Sequence, residues 1–403
     1  SEGVEPSNGL RRYSTRVNLG LNPSEQIGVN ANLGYVSGKT DLGCEAGCGG
    51  RVWGTVLANP NNLTGVNASR RGFHSGTPEE YDLLQNFSQD IDRFTGSVQL
   101  SHNPFSWLRH QVTVGSDRTR ETNVAFTPRV DSLIGSSVWG NGPLGGISQT
   151  ERQINLSTLD YSATATADLT GAIQSATSAG GQYYRTSTEF VFAEGDVFPA
   201  PGLTSVDATT QDKDTGHDFF EEKSLGFFVQ EQLSWRNRFF LTGGVRSDDH
   251  SAFGANFDRV YYPKLSASWI VSEEPFWTVP FVNTLKLRGA FGETGQQPPN
   301  FAAIATYEPV TGPNDVAAIT PQFIGNPDLG PERGREIEVG FDAGLLDDRL
   351  SLEFTYYNQE TEDAILDREI APSLGIPGRQ FFNAGAIRNT GIELLTTARP
   401  YER

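Results

Sequence analysis

Four aspartates in one short stretch have the right chemistry for a cation site: Asp207, Asp212, Asp214 and Asp218. Three of them fall in the segment DKDTGHD, which resembles the start of a calcium-binding loop because carboxylate oxygens are preferred Ca²⁺ ligands. The glycine of that segment comes one position early, and no acidic residue matches the final ligand of the motif. We weigh a cation site of another type against a solvated acidic loop, and we favour the solvated loop.

The segment GYVSGKT, residues 34–40, resembles a phosphate-binding loop. In that motif backbone N–H groups and a lysine surround the phosphates, and four residues separate the two glycines. Here only three residues separate them, and the segment follows a strand pattern without a helix behind it. We therefore expect no phosphate site here.

The two cysteines, Cys44 and Cys48, lie in the segment CEAGC. A structural zinc site needs four ligands, and no other candidates stand nearby. A small loop disulfide is favoured over two free thiols if the compartment is oxidising. The five histidines show no metal-binding spacing, and neither HExxH nor GxSxG occurs. The sequence thus predicts no metal centre, no cofactor and no catalytic residue, and we expect the protein not to be an enzyme.

Composition limits the fold and the partners. The 403 residues carry a net charge of −18, which argues against nucleic acid because phosphate binding needs basic patches. The 44 glycines and 11% aromatic residues suit a β-rich protein. No run of about 18 apolar residues occurs, which excludes a transmembrane helix and leaves open a transmembrane barrel, whose signal is alternation. The chain has no methionine, and we expect it to be an interior piece of a longer protein.

The elements that must position any site show a period of two residues. In the segment EIEVGFDAGLLDDRLSLEFTYY, Ile337, Val339 and Phe341 alternate with polar or small residues, and the alternation resumes after an acidic turn. Successive strand side chains point to opposite faces, so this segment predicts a β-hairpin with one apolar and one polar face. A soluble hairpin on a protein core and a barrel wall in lipid both fit this pattern. Glu231 is an exception, because it shares parity with apolar neighbours; it lies near a rim, or a bulge shifts the parity there.

The same hairpin recurs, and we predict about thirteen strands. Every second connection is a tight turn, whereas the others are long. An up-and-down meander places alternate connections at opposite ends, so one end collects short turns and the other long loops. That asymmetry is typical of an outer-membrane barrel. The predicted long connections are residues 38–92, 119–152, 188–221, 247–260, 295–333 and 367–389.

Five segments over residues 243–394 occur in a familiar order: GGVRSDDHSAFG, YYPKLSASWIVSEEPF, VNTLKLRGAFGETGQQ, NPDLGPERGREIEVGFDAGLLDDRLSLEFTYYNQETEDAIL and NAGAIRNTGIEL. Together they resemble the barrel region of SusC/RagA-like TonB-dependent transporters. His250 stands where that pattern has a glycine. The resemblance implies an all-β, antiparallel up-and-down transmembrane barrel of roughly 22 strands in the bacterial outer membrane.

The resemblance also implies a function and partners. Residues 1–403 would form part of one barrel domain, with the plug domain and the closing strands outside this sequence. The family imports large nutrients, oligosaccharides or peptides, with TonB supplying energy and a SusD-like surface lipoprotein covering the barrel. On this interpretation some polar positions face the lumen or the plug, although a hydrated wall without a specific partner is favoured at each position. These candidates are Asn30, Asn32, Gln230, Gln232, Lys286, Arg288, Glu336 and Glu338.

Two other functions stay open at this point. One is a passive porin or surface adhesin barrel, which would lack an N-terminal plug domain. The other is a secreted, soluble glycan-binding β-protein, which would not need detergent for extraction. Substrate contacts are expected mainly in the long loops, where aromatic faces and amides can meet a sugar ring.

Overall fold

The computed structural model describes residues 8–43, 51–74, 77, 80, 86–130, 144–256, 259–371, 373, 375 and 378–399. Cys44 and Cys48, and with them the predicted disulfide, lie outside the described residues. The strands are β1 (Gly9–Ser24), β2 (Ile27–Leu42), β3 (Asn86–Phe105), β4 (Leu108–Thr127), β5 (Gly146–Thr170), β6 (Ile173–Asp196), β7 (Gln211–Trp235), β8 (Phe239–His250), β9 (Val260–Ile270), β10 (Val282–Gln296), β11 (Thr306–Thr311), β12 (Ala317–Phe323), β13 (Glu332–Leu345), β14 (Leu350–Glu362), β15 (Ile365–Glu369), β16 (Arg379–Asn383) and β17 (Ala386–Ala398).

Helical structure is sparse in the described residues. One α-helix, α1 (Arg51–Val56), and five 3₁₀ segments lie in the connections. The 3₁₀ segments are Pro60–Leu63, Gly65–Arg70, Val206–Ala208, Val271–Glu273 and Pro313–Asp315. None of the described helices is long and apolar enough to cross a bilayer.

Thirteen strands form one sheet in chain order, β1 to β10 followed by β13, β14 and β17. Every neighbouring pair is antiparallel. Two small hairpins, β11–β12 and β15–β16, form separate two-stranded sheets within the connections. The predicted all-β, up-and-down meander of about thirteen strands is confirmed.

One face of the large sheet, here called the apolar face, collects the apolar side chains. Residues paired across antiparallel strands share a face, so Val229 stands between Ala179 and Val245 on this face. These side chains are uncovered: Leu21 is 62% exposed and Val339 49%. No second sheet packs on them in the described part of the chain. An apolar surface that extends across a thirteen-stranded sheet is unfavourable in water, so the face requires an apolar environment.

The strands continue past the apolar band, and there the same face becomes charged. Cross-strand ion pairs occupy this charged belt, with Arg335 Nε 3.2 Å from Glu293 Oε1 and Arg120 Nη2 2.9 Å from Glu151 Oε1. Apart from the phenylalanines of β6 and β7, both faces are mostly polar in these extensions, so the sequence loses its alternation although the backbone ladder continues. Most predicted long connections are therefore shorter than expected.

The asymmetry between the two ends of the sheet is present, with one exception: the turn-end connection 271–281, of 11 residues, is longer than the loop-end connection 251–259, of 9 residues. At the turn end, residues 25–26, 106–107, 171–172, 236–238, 271–281 and 346–349 connect the strands; at the loop end, residues 43–85, 128–145, 197–210, 251–259, 297–331 and 363–385 do so. The predicted acidic turn is one of the tight ones, and Leu346, Asp347 and Asp348 adopt positive φ of 57°, 56° and 59°. Short polar residues such as aspartate tolerate that region better than most residues.

Glu231 keeps the parity of the apolar face. It pairs with Thr177 and Gly243, and no register shift occurs near it, so a bulge is not the explanation. Its carboxylate accepts hydrogen bonds from Ser175 Oγ and Thr177 Oγ1, each at 2.5 Å. The apolar face offers little water to the Glu231 carboxylate, and the two hydroxyl donors on the adjacent strand replace part of that hydration.

The loop end has a small core of its own. Leu329 is 0% exposed and Val260 is 1% exposed, whereas Phe198, also 0% exposed, packs against Phe126 at a separate place on this end. Separate connections are tied together there: Gly254 N donates to Leu329 O at 3.0 Å, and the Asn383 side chain both donates to and accepts from the backbone of Gly330. Burial and backbone hydrogen bonds therefore join three connections at this end.

His250 lies in this loop core and is 8% exposed. The backbone N–H of Ala252 donates to its Nδ1 at 3.0 Å. Burial lowers the pKa of His250, while the nearby carboxylates of Glu222 and Asp249 oppose that shift. The folded loop end therefore favours the neutral imidazole.

We expect the loop end to lose stability as the solution becomes acidic. The folded pKa lies below the unfolded value of about 6.5, so the stabilisation is complete above that pH and is lost as the pH falls through the folded pKa. As the pH falls from the unfolded toward the folded pKa, the protection of residues 250–256 against hydrogen exchange in the intact protein, measured as the ratio of the intrinsic to the observed rate, should fall by up to about tenfold per pH unit, the limit for one proton. His250→Asn keeps an acceptor for Ala252 but cannot titrate, and an equal fall in protection in that variant would assign the effect to another group.

Candidate functional site

The polar face, opposite the apolar face, carries every polar position singled out in the sequence. Register and parity place all of them on this one face, on β2, β7, β10 and β13: Asn30, Asn32, Gln230, Gln232, Lys286, Arg288, Glu336 and Glu338. Gln232 on β7, Arg288 on β10 and Glu338 on β13 line one shallow depression of about 300 Å³, whose floor crosses β8 and β9. A second depression, of about 450 Å³, includes Asn32.

Cations on the polar face pair with carboxylates of the wall itself. Asp342 lies 3.4 Å from Lys286 Nζ and 3.1 Å from Arg288 Nε, and Arg288 also donates to Thr355 Oγ1 at 2.6 Å. Arg93 and Asp117 form a similar pair at 2.5 Å. The sequence analysis did not single out Asp342, although it has the same parity as Glu336 and Glu338 and is therefore expected on the polar face. These ion pairs neutralise the charges of Lys286, Arg288 and Arg93 within the wall, so the polar face is a hydrated surface at these positions.

Small residues shape the larger depression. Gly34 and Gly115 lie side by side with threonines from the neighbouring strands, and a Cβ at either glycine would meet a hydroxyl, of Thr95 or of Thr158. Arg16 and Asp117 border the same depression. The segment that resembles a phosphate loop, residues 34–40, lies inside β2 and has an extended backbone.

The four candidate metal-ligating aspartates are not brought together. Asp207 lies in a 3₁₀ segment and accepts from Ser205 Oγ, and Asp214 accepts from the Thr215 backbone N–H at 2.9 Å. Asp218 lies farther along β7, opposite Phe190. Among the described residues, no group of three or more histidine, cysteine or acidic side chains is arranged to hold a metal ion.

Aromatic side chains also stand on the polar face, and the sequence analysis missed them. Phe190 and Phe192 on β6 share this face with Phe220 and Phe228 on β7, because their parity matches that of Gln182 and Gln230. In the sequence they lie in the segments EFVF, DFFEE and GFFV, whose adjacent apolar residues do not show which ring faces which way. The register decides it.

Comparison with known proteins identifies related chains. The family model described as "TonB dependent receptor-like, beta-barrel" matches residues 48–401. TonB-dependent receptor P26 of Formosa agariphila is 25% identical over 97% of this chain and 40% of its own length. TonB-dependent receptor SusC of Bacteroides thetaiotaomicron is 23% identical over 99% of this chain and 42% of its own length.

The fold also matches solved structures. The structure of the RagAB peptide transporter superposes with a TM-score of 0.84 at 19% identity, covering 98% of this chain and 45% of that chain. The ferric-catecholate import receptor Fiu of E. coli K12 superposes with a TM-score of 0.56 at 14% identity, covering 98% and 56%. The chain thus spans about two fifths of the length of these curated relatives.

Proposed function

The chain belongs to the TonB-dependent receptor-like β-barrel family, a family of bacterial outer-membrane proteins, and from that premise we propose that it imports a large nutrient across the outer membrane. The nutrient is an oligosaccharide or a peptide, and TonB supplies the energy from the inner membrane. The family is one of transporters and receptors, and we propose no catalytic step for this chain.

The observation that carries the proposal is the two-faced sheet with unequal ends. The uncovered apolar face suits lipid, and the polar face suits a water-filled or plugged interior. The short turns would face the periplasm and the long connections the outside, as in outer-membrane barrels. The family match over residues 48–401 supports the same arrangement.

In the proposed assembly, residues 1–403 are one part of the barrel wall. The polar face lines the lumen, and a plug domain and further strands complete the transporter. Lys286, Arg288, Glu336 and Glu338 then face the plug or the transported molecule. A SusD-like surface lipoprotein covers the loop end, where substrate enters.

An uptake experiment on cells that produce the intact protein tests this proposal. A defined mixture of oligosaccharides and peptides above porin size is supplied, and its depletion is followed by mass spectrometry. We expect depletion of particular molecules that stops when the gene is deleted or a protonophore is added. Uptake that continues with the protonophore indicates a passive porin, and membrane association without any uptake indicates an adhesin. Release of the protein without detergent would indicate a soluble glycan-binding protein. Each of these three results would overturn the proposal.

A further inference from the structure

Two pairs of phenyl rings lie close to each other on the polar side of the sheet beyond the apolar band. They are Phe190, Phe192, Phe220 and Phe301, here called the phenyl cluster. Phe190 and Phe192 project from β6, and Phe220 projects from β7 at the level of Thr188. Phe301 comes from the connection between β10 and β11, so two distant parts of the chain contribute rings.

The rings contact each other within each pair and remain accessible. The centroids of Phe190 and Phe192 are 6.1 Å apart with a 46° tilt, and those of Phe220 and Phe301 are 5.9 Å apart with a 50° tilt. Phe192 lies over Gly216, where a Cβ would collide with the ring. Phe220 is 37% exposed and Phe301 40%. The cluster therefore presents apolar ring surface on an otherwise polar wall.

Polar groups share the face with these rings. Asp218 pairs with Phe190 in the β6–β7 ladder, Thr188 pairs with Phe220, and Glu222 lies one step further along β7 on the same face. An aromatic ring can cover the C–H-rich side of a sugar ring, and carboxylates accept hydrogen bonds from the hydroxyls at its edge. The combination suits a neutral sugar, because two nearby carboxylates repel an anionic one.

A peptide fits the β6 part of this wall less well. Peptides are commonly recognised through their main chain, which adds to an open strand edge. β6 is paired with β5 along one edge and with β7 along the other, whereas β7 is paired with β6 along its length but with β8 only from Ser224 to Trp235. The ladder groups of β6 are therefore used at Phe190 and Phe192, and recognition there depends on side chains. Within the residues that the structure describes, the edge of β7 beside Phe220 carries no ladder partner from β8, so retention of peptides alone on the array described below would assign the surface to a peptide.

We propose that the phenyl cluster is a binding platform for a neutral oligosaccharide, with Asp218 and Glu222 accepting hydrogen bonds from its hydroxyls. This inference rests on the proposed import function and narrows its substrate class. The platform lies toward the loop end, so it would hold the sugar chain before the chain moves deeper along the polar face.

The intact protein, purified in detergent, is tested against an array of neutral oligosaccharides, anionic oligosaccharides and peptides. We expect retention of neutral oligosaccharides, and affinity about tenfold weaker in the double variant Phe190→Ala/Phe220→Ala, given the usual contribution of an aromatic contact. Phe219→Ala is the matched control, because Phe219 is the adjacent residue, is 56% exposed and has the opposite parity. Phe220→Trp should keep the affinity, because it keeps a ring.

Folding of each variant is checked by its heat-dependent shift in gel mobility, so a loss of binding in a folded variant reports the platform. Retention of peptides or anionic oligosaccharides only, retention of nothing on the array, or equal affinity in the double variant and the wild type would overturn the platform. The import proposal is judged separately. If neutral oligosaccharides bind through the cluster but uptake ignores a protonophore, import by TonB is wrong and the platform stands. If uptake needs the energised membrane but the double variant binds neutral oligosaccharides as tightly as the wild type, the platform is wrong and the import proposal stands.

Discussion

Val229→Arg is expected to prevent stable insertion of the intact protein, whereas Gln230→Arg, one residue away, should be tolerated. Val229 is 48% exposed in the middle of the apolar face, between Ala179 and Val245. A basic side chain at the centre of the lipid-facing band of a barrel costs about 2–4 kcal/mol. Gln230 points to the polar face, where an added guanidinium keeps its hydration.

Refolding into lipid vesicles at increasing urea concentration measures this difference. The midpoint for Val229→Arg should fall well below that of the wild type, and the midpoint for Gln230→Arg should stay close to it. A second pair on β13, Val339→Arg and Glu338→Arg, repeats the comparison on a distant strand. Equal losses at both parities would mean that the apolar face does not meet lipid.

Leu329→Ala is expected to loosen the loop end without affecting the rest of the sheet. Leu329 is 0% exposed, and truncation of a fully buried leucine costs about 2–5 kcal/mol. Its backbone carbonyl accepts from Gly254 N–H, and the neighbouring Gly330 is held by Asn383. A cavity at this point therefore weakens the contact among three connections.

Limited proteolysis of the intact protein in detergent shows this loosening. Cleavage should accelerate in residues 251–256, 325–331 and 378–385, while the thirteen-stranded sheet keeps its heat-dependent mobility. Leu366→Ala removes the same atoms from a side chain that is 48% exposed at the same end, and it should cleave like the wild type. Equal protection of Leu329→Ala would show that the three connections are held independently of this core.

The sequence by itself determined the two faces and the unequal ends. Alternate side chains of a strand point to opposite faces, so lipid on one face and water on the other select apolar and polar residues in turn. This period of two can be seen in the sequence without knowledge of tertiary contacts. Ile337, Val339 and Phe341 carried that signal, and their parity is the observed one. The strand number and order followed from counting such segments and from the alternation of short and long connections.

Only the tertiary structure decided what lies beyond the apolar band. Most residues there are polar on both faces, as Glu151 and Arg335 are, so the sequence shows no alternation of apolar and polar residues. The strands continue there because their backbones pair with the neighbouring strands. Register also chose which phenylalanine of the run DFFEE joins the phenyl cluster, because adjacent apolar residues fit either face equally. The loop core unites Leu329 with Gly254 and Gly330 with Asn383, and such long-range contacts depend on packing geometry that local pattern does not encode.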